Sequence, residues 1–252
     1  MSGATQGIGF AIARGLLAEG ASVVINGRDQ DRVDRAVRDL KAGDPEAPVS
    51  GIVADVADPR QMVQLVGELG EVDILVNNVG LFELAAFGDI GDEDWQRYFD
   101  VNVMSGVRLS RHLLPRMLEN GWGRVIFIGT ESGVNIPADM VHYGVTKAAT
   151  LALSNGLAKL TRGTGVTVNT ILGGPTYSDG VAHTVAALSA AQDVPEDAMK
   201  AAIIAQNTTS LLQRFIEPEE IASLALYLAS PLSSATNGAA LRADGGVLTA
   251  MI

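Results

Sequence analysis

The 252-residue chain contains no cysteine. That removes disulfide staples, thiolate metal sites and a cysteine nucleophile together. Only three histidines occur, His112, His142 and His183, too far apart in sequence for a metal-ligand spacing. Positive charge is also scarce: 18 Lys and Arg against 29 Asp and Glu give a net charge of −11. Binding to nucleic acid through phosphates needs the opposite balance, so no nucleic-acid partner is expected. No apolar run approaches the ~18–20 residues of a membrane-spanning helix, so no membrane is expected either. Met1-Ser2-Gly3-Ala4 has neither the basic nor the apolar part of a secretory signal, and a cytoplasmic location is the default.

What the chain does have is apolar material, 47% of residues against 19% charged, enough for a large core and too much for a disordered chain. Its length suits one α/β domain spanning 1–252. Short β-branched runs (Ala21–Asn26, Val49–Ala54, Ile74–Asn77, Arg124–Gly129, Thr167–Leu172, Ala239–Ala243) alternate with helix-like stretches. Those stretches are Ile8–Glu19, Asp29–Ala42, Pro59–Leu69, Asp92–Asn120, Met140–Arg162 and Pro218–Ala229. The alternation predicts a parallel sheet with helices on both faces and right-handed crossovers. Residues from about 174 to 214 break the rhythm with loop and Ala-rich helix, and are expected to form a substrate lid.

Two motifs carry chemistry. Gly3-Ala4-Thr5-Gln6-Gly7-Ile8-Gly9 opens a helix, where backbone N–H groups and the helix dipole suit a pyrophosphate. Tyr143-x-x-x-Lys147 places a phenol and an ammonium on one helix face, where the ammonium would make the phenol more acidic. Alone, that pair also describes a surface lysine beside a half-buried tyrosine.

Taken in order, the motifs resemble the short-chain dehydrogenase/reductase family over nearly the whole chain. They are Ser2-Gly3-x-x-x-Gly7-Ile8-Gly9, Asp55-Val56, Asn77-Asn78-Val79-Gly80, Asn102, Thr130 after the strand Arg124–Gly129, Tyr143-x-x-x-Lys147, Gly174, Asn237-Gly238 and Asp244-Gly245-Gly246. The resemblance implies a doubly wound, Rossmann-type parallel sheet. It implies that Tyr143 exchanges a proton with the substrate oxygen and that Lys147 binds the nicotinamide ribose and holds Tyr143 acidic. Asn102 would support a proton relay behind Lys147. Gly3, Thr5, Gln6, Gly7, Ile8 and Gly9 would hold the pyrophosphate, Asp55 and Val56 the adenine, and Asn77 and Gly80 the adenosine ribose side. Gly174, Thr176 and Ser178 would lie near the carboxamide. A small-molecule carbonyl or alcohol substrate and a homotetramer are expected from the same resemblance.

Departures from the family pattern set further expectations. Thr130 stands where the family has its catalytic serine; it keeps the hydroxyl, with Ser132 in reserve. Gly173-Gly174 replaces the usual Pro-Gly and should loosen the lid's start. The strand that should precede the glycine motif is missing, which would leave a gap of roughly 10 Å in the sheet; on this reading Met1 is the end of a longer strand. Gly27 and Arg28 end the first run where NAD-binding relatives carry an acid, so NADP is expected over NAD, with Gln6 and Asp29 weighing against. Trp95, Tyr98 and Phe99 are expected in packing, and His142 outside catalysis. The function expected is interconversion of a ketone and a secondary alcohol. Its rival is a non-catalytic protein that binds a nicotinamide nucleotide. A serine hydrolase is excluded by the lack of a G-x-S-x-G elbow.

Overall fold

The computed structural model describes residues 1–251. Six parallel strands carry the fold: β1 (Val23–Gly27), β2 (Val49–Val53), β3 (Ile74–Asn77), β4 (Trp122–Thr130), β5 (Gly165–Gly173) and β6 (Ala240–Ala243). β1 pairs with β2, and the other four run β3-β4-β5-β6. The helices are α1 (Gly7–Ala18), α2 (Gln30–Leu40), α3 (Pro59–Glu68), α4 (Asp92–Tyr98), α5 (Ser105–Asn120), α6 (Val141–Leu160), α7 (Asp179–Gln192), α8 (Glu196–Gln206) and α9 (Pro218–Ala229).

Local chemistry sets the helix starts. Asp29 caps α2 by accepting from Arg32 N at 2.9 Å, and Asp58 caps α3 from Arg60 N at 2.7 Å with Pro59 in the first turn. Glu217 and Glu220 form a reciprocal capping box at α9. α5 stops at Gly121, whose φ of 73° suits glycine.

β4 is buried along almost its full length, as a strand covered on both faces requires. One face packs α1, α2 and α9 through Ile12, Leu16, Ile25, Ile126, Ile221 and Leu228. The other packs α3 and α5 through Met62, Leu65, Leu109, Met117 and Phe127. Both layers of the doubly wound arrangement are therefore in place.

Among the described residues β1 and β3 are joined at one end only. Between β1 and β3 no strand ladder forms among the described residues. Instead the extended residues 1–4 make a short rung at the carboxyl end. Met1 O accepts from Asn26 N at 3.0 Å, Ser2 N donates to Val76 O at 3.1 Å, and Ala4 N donates to Asn26 O at 3.1 Å. Towards the amino end the two strands flank a cavity of about 320 Å³ lined by Val23, Val24, Ile74, Leu16, Leu65 and Leu109, among others.

One predicted element is corrected. The helix expected over Asp92–Asn120 is broken by a π-helical turn at Phe99–Met104, between α4 and α5. The wider turn lets Asn102 leave the α-helical register, and such turns concentrate at functional sites. No described helix is long and apolar enough to cross a membrane.

Candidate active site

The glycine loop leads straight into α1, whose N-terminus has no side-chain cap and no acidic residue in its first turn. Gly7 N instead donates to the Asp179 carboxylate at 2.6 Å. A carboxylate oxygen from the lid thus sits where an anionic oxygen is favoured, a direct indication that the loop fits a phosphate. Gly3 and Gly7 have φ of 60° and 58°. A Cβ on Gly9 would come within 2.6 Å of Asn78 Nδ2 and of Gly3 O, so that close approach requires glycine. Asn78 Nδ2 closes the loop with a 2.7 Å bond to Gly3 O. Gln6 precedes α1 and Ile8 lies in its first turn.

Along the same edge, Asn26 is the next-to-last residue of β1 and donates to Ile52 O and Ala54 O at 3.1 and 3.0 Å. A Cβ on Gly27 would lie 2.6 Å from Thr5 Cγ2. An acidic side chain at 27 would therefore collide with the glycine loop. Arg28 is solvent-facing, its guanidinium 4.0 Å from the Asp55 carboxylate. Val56 is buried beside Asp55. Asn77 ends β3 with its side-chain carbonyl oxygen buried and unpartnered. Gly80 lies beside the lysine: a Cβ there would be 3.2 Å from Lys147 Nζ and 3.6 Å from Asn102 Oδ1.

Thr130 closes β4, and Tyr143 and Lys147 project from α6, which packs against the turn after β4. The Thr130 hydroxyl lies beside the Tyr143 phenol and favours its charged form. Burial works harder in the other direction, and the nearby Glu131 carboxylate adds to it, so the phenol is pushed well above its ordinary range. Lys147 shares the helix face of Tyr143. Its Nζ is 5.8 Å from the phenol ring centroid and donates to Ile128 O at 3.0 Å. Burial lowers the ammonium to about 8.

Asn102 is nearly buried in the π-turn. It accepts from Leu81 N at 2.7 Å and donates to Leu81 O and Thr146 Oγ1 at 3.1 and 3.0 Å. It therefore braces α6 one residue before Lys147. Phe82 stands edge-on to Tyr143 with ring centroids 6.4 Å apart, and it also reaches Gly180 of the lid.

The lid is zipped at its base. Thr176 pairs with Ile216, and Thr176 Oγ1 donates to Gly174 O at 2.9 Å. Ser178 opens α7. A Cβ on Gly174 would lie 2.5 Å from Asp244 O, so glycine is needed there for the chain to pass. Tyr177 stacks with Phe215 and lies under the Lys200 ammonium.

The packing expectations divide. Tyr98 is fully buried against His142, their ring centroids 3.9 Å apart. Phe99 is instead 36% exposed. Two residues escaped the sequence reading. Asp179 reaches the glycine loop across 172 positions, which no local pattern signals. Glu131 sits between Thr130 and Ser132 and hydrogen-bonds both hydroxyls; its signal was an acid between two hydroxyls at a strand's carboxyl end.

Comparison with known proteins agrees with this arrangement. A family model described as enoyl-(acyl carrier protein) reductase matches residues 3–248. The uncharacterized oxidoreductase YvaG of Bacillus subtilis is 45% identical over 98% of this chain and 94% of its own. D-beta-hydroxybutyrate dehydrogenase of Cupriavidus necator is 30% identical over 98% and 95%. The crystal structure of L-sorbose reductase from Gluconobacter frateurii, complexed with NADPH and L-sorbose, superposes with a TM-score of 0.94 at 31% identity, covering 100% of this chain and 96% of that one. Nothing in these comparisons favours a non-catalytic protein. With its glycine loop, tyrosine–lysine pair and doubly wound sheet in one edge, the chain belongs to the short-chain dehydrogenase/reductase family of oxidoreductases.

Proposed function

We propose that the protein reduces a small, neutral ketone to a secondary alcohol, and the reverse, with NADP preferred over NAD. The observation that carries this is the convergence of Thr130, Tyr143, Lys147 and Asn102 at the sheet edge that also holds the glycine loop. Residues 3–9 would hold the dinucleotide pyrophosphate, and Lys147 beside Gly80 its nicotinamide ribose. When bound, the dinucleotide supplies or accepts a hydride.

The chain's own groups manage the oxygen. As the carbonyl carbon gains its C–H bond, the C=O π pair moves onto oxygen, which takes the Tyr143 proton. A phenol raised by burial keeps that proton until negative charge develops on the substrate, which suits a general acid. Thr130 lies beside the Tyr143 phenol and, when its proton is not held by Glu131, would donate to the same oxygen. Asn102 fixes α6 through Thr146 and so the height of both catalytic side chains.

Arg28 supports NADP: it is a solvent-facing guanidinium just after β1, held only by a 4.0 Å contact to Asp55, and an acid at position 27 is sterically barred by Thr5. Phe82 and the Ala-rich lid support a neutral or moderately apolar substrate. The long helices α5 and α6 support the proposed homotetramer, to be checked by light scattering. NADPH-driven reduction of ethyl 3-oxobutanoate and related ketones tests the activity. Tyr143→Phe should lower kcat by at least about 10²-fold while NADPH binding is kept. Faster turnover with NADH than with NADPH would overturn the cofactor assignment.

A further inference from the structure

The Thr130 hydroxyl has one proton, and so has Ser132. Both donate to the Glu131 carboxylate: Thr130 Oγ1 to Oε2, and Ser132 Oγ to Oε1 at 3.2 Å. Thr130 Oγ1 in turn accepts from Ser132 N at 3.2 Å. With both protons committed, neither hydroxyl has one left for a substrate carbonyl. We infer that Glu131 is a positioning residue that sets the sense of the Thr130 hydroxyl. As a neutral acid it donates to Thr130 and frees the Thr130 proton to polarise a ketone. As a carboxylate it takes that proton and leaves Thr130 an acceptor, which fits an alcohol. The inference rests on the reductase reading above.

Glu131 is built for this duty. No ion pair reaches it among the described salt bridges, and burial raises its carboxyl above the ordinary glutamate range despite the two hydroxyl bonds. The titratable groups packed about it are Tyr143 and Lys147 on α6 and, beyond Tyr143, Tyr98 on α4. Tyr143 is raised, and Lys147, which loses its proton near pH 8, is held by Ile128 O. A change in reduction rate below pH 8 therefore points to Glu131.

Two measurements decide it. First, ¹³C NMR of the Glu131 carboxyl, assigned with E131Q, should show titration above the usual glutamate range, moving further up in T130V as the bond to the charged form is lost. Titration in the ordinary range, unmoved by T130V, overturns the inference. This readout needs no substrate. Second, kcat/KM for NADPH-driven reduction of ethyl 3-oxobutanoate should fall roughly tenfold per pH unit above that titration. In E131Q, whose amide copies the hydrogen bonds of the neutral acid, that fall should vanish; in a T130V background E131Q should change nothing. An E131Q profile that still falls below pH 8, before Lys147 releases its proton, overturns the inference. If no ketone is reduced and Tyr143→Phe is without effect, the reductase reading fails instead, and the NMR titration still decides the role of Glu131.

Discussion

The two ends of the seam between β1 and β3 differ sharply. At the carboxyl end residues 1–4 hydrogen-bond to both strands, and the glycine loop, Asn78 and Asn77 crowd together. At the amino end the same strands flank a cavity of about 320 Å³. The first end spends stability on close backbone approach and buried polar groups, which a site needs. At the second the two strands share no ladder and bring no group to the site.

Core truncation gives the largest test of that contrast. Leu228 is fully buried in the α1–α9 face. Leu228→Ala should cost about 4 kcal/mol, the upper range for leucine truncation. Leu109 is also buried but lines the cavity. It has fewer contacts to lose, so Leu109→Ala should cost about 2 kcal/mol. Urea denaturation checks both, and equal costs would show the cavity wall to be packed like the core.

A smaller effect is expected at the stitched end. Gly9→Ala would drive a Cβ against Asn78 and the Gly3 carbonyl. It should cost about 1–3 kcal/mol by overpacking and weaken NADPH binding, read by fluorescence titration. Unchanged affinity would separate the loop's packing from its binding role.

The smallest shift concerns Lys147, lowered from 10.5 to about 8 by burial. Below pH 8 both folded and unfolded chains carry the proton, and the folded state bears the full cost of burying the charge. Between pH 8 and 10.5 the folded chain releases it first, so stability rises with pH. The cost is at most about 3 kcal/mol, partly offset by the bond to Ile128 O, worth about 1 kcal/mol. Lys147→Met should therefore raise Tm at pH 7, with the gain shrinking as pH climbs from 8 to 10.5. A gain independent of pH would place the effect in packing.

Much of this was legible beforehand, for local reasons. Strand and helix positions followed from β-branched runs, from caps such as Asp29 and Asp58, and from Pro59 and Pro218, because these act within a few residues. Thr130, Tyr143 and Lys147 were legible as a set in order. The π-turn at Phe99–Met104 was not, because Phe-Asp-Val-Asn-Val-Met carries no local signal that separates a widened turn from an α-helical one. The raised Tyr143 phenol was missed for a related reason: spacing of four shows that Lys147 shares its face, but not how deeply the phenol is buried beside Glu131.

Sequence alone determined the alternation of strand and helix, the glycines at which the backbone turns tightly, and the candidate proton-handling groups. Those depend on periodicity and side-chain chemistry, which a chain carries at short range. Tertiary structure alone decided that Asp179 meets the glycine loop, that Asn102 braces α6 through Thr146, and that burial raises the Tyr143 phenol. Each of these depends on distance and desolvation between segments far apart in the chain, and neither quantity exists until the sheet edge is assembled.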